Sequence, residues 1–123
     1  MTFVPQYTRL ALLVDDDPAD QALFARELKM LGIEVFVTSV PEQAMARIVN
    51  GDIGCVITDQ AMKVTGHELM EAIRSVRADV SLILLSGAEY PKDALPPGVP
   101  FVNKNDREAF RLAVQQCMAR WKL

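Results

Sequence analysis

The sequence predicts an α/β fold in which a doubly wound, five-stranded parallel sheet carries helices on both faces. Three observations lead to this fold class. Apolar runs alternate with amphipathic stretches along the chain, as consecutive βαβ units require. The apolar runs are continuous, which is typical of strands that are covered on both faces. The chain has 123 residues, and this length fits one domain.

Five short apolar runs supply the predicted strands. They are RLALLV, IEVFVT, IGCVIT, SLILL and VPFV. They place β1 at 9–14, β2 at 33–38, β3 at 53–58, β4 at 81–85 and β5 at 99–102. Pro100 falls inside the predicted β5. Because a proline in a strand is tolerated mainly at the edge of a sheet, β5 is expected to be an edge strand.

The first two helices are each marked by a proline at the first helical position. Asp17 can cap α1 (18–31), and Pro18 begins it. The second helix, α2 (41–50), begins at Pro41. A cap followed by proline is a typical helix start, because the missing N–H of proline has no partner there in any case.

The last two helices open with the spacing of a capping box. Thr65 and Glu68 have this spacing at the start of α3 (66–77), and it recurs from Asn105 at the start of α4 (106–122). In such a box, each side chain accepts a hydrogen bond from the backbone of the other residue. Amphipathic patterns with a period of 3.6 residues follow in both segments.

Composition and charge exclude several classes of protein. The formal net charge is −3 and the pI is about 5.1, which argues against binding nucleic acid through bulk charge. No apolar run reaches membrane-spanning length, and residues 1–8 lack a signal-peptide pattern. Cys55 and Cys117 fit neither a metal motif nor a disulfide framework, so they are interpreted as reduced core residues. We expect one cytoplasmic domain over 1–123, with 1–8 as a short extension.

Polar residues follow four of the predicted strands. Asp15 and Asp16 come after β1, Asp59 after β3, Ser86 after β4 and Lys104 after β5. In an open parallel sheet, ligands bind outside the carboxyl ends of the strands. Carboxylates on neighbouring strands would repel each other without a cation between them, and their oxygens suit Mg²⁺. A lysine and a hydroxyl beside the metal could bind phosphoryl oxygens, and one carboxylate could form an aspartyl-phosphate.

Four short motifs then resemble those of response-regulator receiver domains in two-component signalling. They are LLVDDDP (12–18), VITDQAM (56–62), LLSG (84–87) and FVNK (101–104), and they occur in the family's order. The resemblance covers nearly the whole chain. It implies a flavodoxin-like strand order of 2-1-3-4-5. It also implies a stand-alone receiver, because the chain has no room for an output domain.

The resemblance implies a metal site and a phosphoacceptor. Asp15 and Asp16 would bind Mg²⁺, with Asp16 as the more direct ligand. Asp59 would be both the phosphoacceptor and a metal ligand, and the backbone carbonyl of Ala61 would be a further ligand. The phosphoryl donor would be a histidine kinase or a phosphotransfer protein. We expect self-phosphorylation and slow autodephosphorylation, no turnover of an external substrate, and no direct binding to DNA or membranes.

The resemblance also implies how the phosphoryl group would be bound and sensed. Ser86 and Lys104 would bind phosphoryl oxygens, and Ser86 with Phe101 would form the switch. Family members usually have proline after the lysine, often in a cis peptide; here Asn105 follows, so a trans bond is expected. Prolines limit the segment 87–98 to at most about two helical turns. The family's helix between β4 and β5 is therefore expected to be short or missing.

Two other functions stay open at this point. Asp15 and Asp17 are similar to the opening motif of haloacid-dehalogenase-type phosphatases, as nucleophile and general acid. Pro18 and Ala19 follow, however, where that family has glycine and threonine or valine. A degenerate receiver that docks a partner without phosphorylation is the second alternative, because Lys63 replaces a usual proline. Nucleotide binding is disfavoured because no glycine-rich turn follows β1.

Overall fold

The structure, a computed structural model, describes residues 10–51, 53–87, 95 and 98–119, with side chains as far as residue 117. These residues contain five strands and four helices. The strands are β1 (Leu10–Val14), β2 (Glu34–Thr38), β3 (Cys55–Asp59), β4 (Ser81–Ser86) and β5 (Phe101–Asn103). The helices are α1 (Pro18–Met30), α2 (Pro41–Val49), α3 (Gly66–Val76) and α4 (Arg107–Ala119).

All five strands pair in parallel, in the order β2-β1-β3-β4-β5. The predicted fold class and the flavodoxin-like strand order are therefore confirmed. Val14 lies opposite both Thr38 and Thr58, the residue before Asp59. The carboxyl ends of β1, β2 and β3 are thus level, and β5 lies at an edge of the sheet, as predicted.

Helices cover both faces of the sheet. Successive residues of a strand point to opposite faces. Leu13 packs on one face with Phe24 of α1 and Phe110 of α4, whose ring centroids are 4.9 Å apart. Leu12 packs with Ile73 on the other face, which α2 and α3 cover. Because neither face is exposed to solvent, the central strands have no polar side, which explains their continuous apolar runs.

The two cysteines lie in the core on the α1–α4 face, as predicted. Cys55 is fully buried and Cys117 nearly so. A hydrogen bond to Cys117, together with burial, raises the pKa of Cys55 well above its usual range. Since the thiolate is the reactive form of cysteine, this thiol is chemically inert at neutral pH.

The predicted caps of α1 and α3 are confirmed, and that of α4 is corrected. Asp17 accepts a hydrogen bond from the first turn of α1, and Thr65 and Glu68 form the capping box of α3. At α4, Asp106 rather than Asn105 accepts a hydrogen bond from the first turn, at 3.0 Å. Asn105 cannot cap the helix, because it belongs to the turn that follows β5.

The strand boundaries differ slightly from the predicted ones. The third strand begins at Cys55 and reaches Asp59, and the fourth reaches Ser86, because the final residues still pair with the neighbouring strand. The fifth strand begins at Phe101, so Pro100 precedes it instead of lying within it. Proline has no N–H to donate to the ladder, which accounts for this later start.

Several predictions concern residues outside the described part of the chain. Residues 88–94, 96 and 97 lie outside it, and with them most of the segment 87–98 that was predicted to hold a short helix or none. The predicted extension, 1–8, and the predicted end of α4 at 122 also lie outside it. Among the described helices, none is long and apolar enough to cross a membrane.

Candidate functional site

Side chains from four strand ends meet at the carboxyl edge of the sheet. Asp15 directly follows β1, Asp59 and Ser86 are the last residues of β3 and β4, and Lys104 directly follows β5. Asp15, Asp59 and Ser86 are 0%, 3% and 6% exposed. Burying polar groups is unfavourable unless they have partners, so their burial together at this edge indicates a functional site.

Three carboxylates form a cluster at this edge. One oxygen each from Asp15, Asp16 and Asp59 lies within 4.8 Å of the other two. Asp15 and Asp59 are buried while Asp16 is exposed, so the cluster is open to water on one side. Octahedral Mg²⁺ binds oxygens at about 2.1 Å, which places its neighbouring ligands about 3 Å apart, and it retains several waters. The donor atoms and the open side fit Mg²⁺.

The surroundings of Asp15 disfavour the ionised form of its carboxyl group. Burial raises the pKa of Asp15 above its usual value, and the charge of Asp59 acts in the same direction. The backbone N–H of Asp17 and the ammonium of Lys104 oppose this rise. A cation bound to the cluster would favour the ionised form of Asp15.

Lys104 lies among three carboxylates. Its Nζ is 2.6 Å from Asp20 Oδ2, 3.0 Å from Asp15 Oδ2 and 3.2 Å from Asp59 Oδ1. Burial lowers the pKa of Lys104, but hydrogen bonds to Asp20 and Asp15 outweigh it and hold this pKa above its usual value. The lysine is therefore positively charged at neutral pH, beside Asp59.

The backbone positions this lysine without a following proline. All peptide bonds of the described residues are trans, as predicted for the bond between Lys104 and Asn105. The Lys104 N–H donates to the Ser86 carbonyl at 2.9 Å, and the Asn105 N–H donates to Asn103 Oδ1 at 2.8 Å. Backbone pairing and a side-chain turn thus hold Lys104 beside the end of β4.

The start of α3 packs tightly against Asp59. A Cβ added at Gly66 would lie 2.5 Å from the Asp59 carbonyl oxygen and 2.7 Å from Leu84 Cδ1, which is too close for any side chain. On the other side, the Ala61 N–H donates to Asp59 Oδ1 at 3.3 Å. Contacts of the backbone and side chain therefore restrict the position of Asp59.

The two predicted switch residues lie on neighbouring strands. Ser86 is buried at the end of β4. Phe101 is half-buried, pairs in register with Leu84 of β4, and packs against the apolar cluster on the α2–α3 face. The joint movement of these two residues on phosphorylation stays a prediction.

Sequence reasoning missed two residues of the site. Asp20 makes the shortest of the ion pairs to Lys104, and Gln21 Nε2 donates to the Asp15 backbone carbonyl. Both belong to the first turns of α1, which begins directly after the acidic loop. The sequence could have indicated both residues, because they lie about four positions after Asp16 and Asp17. Side chains in the first turn of a helix tilt toward its N-terminus, which here is the same edge of the sheet.

Several solved structures of receiver proteins are similar to this chain. A response regulator receiver protein from Sinorhizobium medicae has a TM-score of 0.82 and 20% identity, covering 94% of this chain and 98% of that one. TrrA from Thermotoga maritima, in complex with Mg²⁺ and BeF, has a TM-score of 0.78 and 24% identity over 88% and 97%. The receiver domain of the Arabidopsis thaliana histidine kinase CKI1, complexed with Mg²⁺ and BeF₃⁻, has a TM-score of 0.74 and 18% identity over 89% of each chain.

These similarities establish the fold, and a sequence match establishes the family. A search of curated protein sequences finds no match to the chain. The profile of the response regulator receiver domain matches residues 11–97, a span that runs from the second residue of β1 through β4 and includes the acidic cluster. The chain therefore belongs to the response regulator receiver domain family of two-component signalling.

Proposed function

We propose that this chain is the phosphoacceptor module of a two-component phosphorelay. Asp59 receives a phosphoryl group from a histidine kinase or a phosphotransfer protein in a Mg²⁺-dependent reaction, and hydrolysis then removes it slowly. One receiver domain spans 1–123. The proposed location is the cytoplasm, because the chain would receive its phosphoryl group from these partners there. The observation that carries the proposal is the Lys104 Nζ, 3.2 Å from Asp59 Oδ1 and beside three clustered carboxylates.

The transfer is a nucleophilic displacement at phosphorus. A carboxylate oxygen of Asp59 attacks the phosphorus of a donor phosphohistidine. The P–N bond breaks, its electron pair goes to the imidazole nitrogen, and that nitrogen takes a proton as the ring departs. Water later attacks the phosphorus of the acyl phosphate, which releases inorganic phosphate and restores the carboxylate.

The neighbouring residues stabilise the charge on the transferred group. Asp15, Asp16, Asp59 and the backbone carbonyl of Ala61 would bind Mg²⁺, and the metal would neutralise charge on the phosphoryl oxygens. Lys104 pairs with one phosphoryl oxygen as a charge-assisted donor. The hydroxyl of Ser86, at the adjacent strand end, donates to another.

Phosphorylation would be transmitted through Ser86 and Phe101. When Ser86 turns toward the phosphoryl group, it vacates space next to the neighbouring strand. Phe101 is half-buried on that strand, so its ring can move toward this space and change the surface of β5. No DNA or membrane surface takes part; a protein partner reads this change.

The two alternative functions are less well supported. In a phosphatase, Asp17 would be the general acid, but its carboxylate already accepts a hydrogen bond from the Ala19 N–H at 2.9 Å as the cap of α1. A receiver that only docks a partner would have no use for three carboxylates and a lysine gathered in a largely buried site, because removing several charges from water is costly.

The proposal is tested by incubation with phosphoramidate and Mg²⁺, followed by intact-mass measurement. We expect one phosphoryl group to be added per chain when Mg²⁺ is present, and none when EDTA removes it. Unchanged mass with Mg²⁺ would favour the docking function. Sustained hydrolysis of p-nitrophenyl phosphate would favour the phosphatase.

A further inference from the structure

The shortest contact of Lys104 is made by a residue outside the metal cluster. Its Nζ lies 2.6 Å from Asp20 Oδ2, compared with 3.0 Å from Asp15 and 3.2 Å from Asp59. The side chains of Lys104 and Asp20 are 14% and 27% exposed. A partly buried pair of this kind is screened less by solvent than a surface ion pair.

Asp20 differs from the other two partners of Lys104 because it does not belong to the candidate metal site. Asp15 and Asp59 belong to the group of carboxylates that can share a metal ion, and Asp20 does not. Bound Mg²⁺ would draw electron density from Asp15 and Asp59 and repel the nearby ammonium. Among the described carboxylates that contact Lys104, Asp20 alone keeps its full charge available to the lysine.

We propose that Asp20 is a positioning residue that holds the ammonium of Lys104 at the phosphoryl-binding position while the metal occupies the other carboxylates. This inference rests on the proposed function. An ammonium group has three N–H donors, so one bond to Asp20 leaves others for a phosphoryl oxygen. A lysine stem is flexible, and ordering it in advance lowers the entropic cost of binding that oxygen.

The test compares phosphorylation rates with phosphoramidate at Mg²⁺ concentrations that saturate each variant. We expect Asp20→Ala to slow phosphorylation about tenfold, because the Lys104 ammonium is then no longer held in place for its charge-assisted contact with the phosphoryl oxygen. Asp20→Asn keeps an acceptor oxygen at the same place and should recover part of this rate. Glu42→Ala is the matched control, because Glu42 is likewise an acid in the first turn of a helix that begins with proline, and its rate should equal that of the unmodified protein.

A double-mutant cycle separates positioning from a general effect on the fold. In a Lys104→Ala background, Asp20→Ala should cause no further loss of rate, because the group that Asp20 positions is gone. An equal loss in both backgrounds would contradict the inference. An unchanged or faster rate for Asp20→Ala would also contradict it, and would leave the proposed function intact. If the unmodified protein itself is not labelled, the proposed function and this inference are both wrong.

Discussion

Asp59→Asn is expected to abolish the Mg²⁺-dependent addition of a phosphoryl group from phosphoramidate. The amide has nearly the same shape as the carboxylate, but its oxygen is a far weaker nucleophile and it carries no charge to bind Mg²⁺. The substitution also removes one of three carboxylates that lie within 4.8 Å of one another, so the fold is expected to survive. Intact-mass measurement before and after incubation gives the result directly.

Asp106→Asn is the matched control for this experiment. Asp106 is exposed and caps α4 by accepting a hydrogen bond from the Ala109 N–H, and asparagine caps helices as well as aspartate does. The control variant should be labelled like the unmodified protein. Labelling of Asp59→Asn to the same extent as the control would show that another residue is the phosphoacceptor.

Lys104→Met is expected to lower the free energy of unfolding by about 3 kcal/mol in the presence of EDTA. The substitution leaves the buried carboxylates of Asp15 and Asp59 without their shared cation. Burial already raises the pKa of Asp15, and the loss of the ammonium raises it further. A carboxyl with a raised pKa destabilises the fold above that pKa, so the deficit should shrink as the pH falls and the group is protonated.

Urea denaturation with and without Mg²⁺ measures this effect. Because a ligand that binds only the folded state stabilises it, Mg²⁺ should restore much of the lost stability of Lys104→Met. Lys29→Met is the control, since Lys29 is exposed in the last turn of α1, and its effect should stay within about 0.5 kcal/mol. Equal stabilities for Lys104→Met and the unmodified protein in EDTA would contradict the conclusion that Lys104 stabilises the charges of Asp15 and Asp59.

The general arrangement of the site could be predicted from the sequence because it depends on strand ends. In a parallel sheet, the residues that follow consecutive apolar runs reach the same edge, so Asp15, Asp59 and Lys104 could be brought together without a structure. The exact ends were less predictable. Asp59 and Ser86 have polar side chains typical of loops, yet their backbones continue the ladder, since backbone pairing does not depend on side-chain polarity.

The missed interactions depend on contacts between distant segments. Asp20 has an ordinary local explanation as an acid in the first turn of a helix, and that explanation gives no reason to look for its ion pair with Lys104. Glu27 is charged, and a charged residue in a helix is expected to face solvent. It is nevertheless only 4% exposed, and it accepts a hydrogen bond from Arg111 Nε of α4 at 2.6 Å. Periodicity identifies which face of a helix is apolar, and it carries no information on a polar pair formed between two helices.

The central claim is that Asp59 is the phosphoacceptor, and the most direct test is to identify the phosphorylated residue by chemical conversion. Borohydride reduces an aspartyl-phosphate to homoserine, which peptide mass mapping detects at a single position. After labelling with phosphoramidate and Mg²⁺, we expect this conversion at Asp59 and at no other aspartate. Conversion at Asp15 instead would contradict the account and favour the phosphatase, in which Asp15 is the nucleophile.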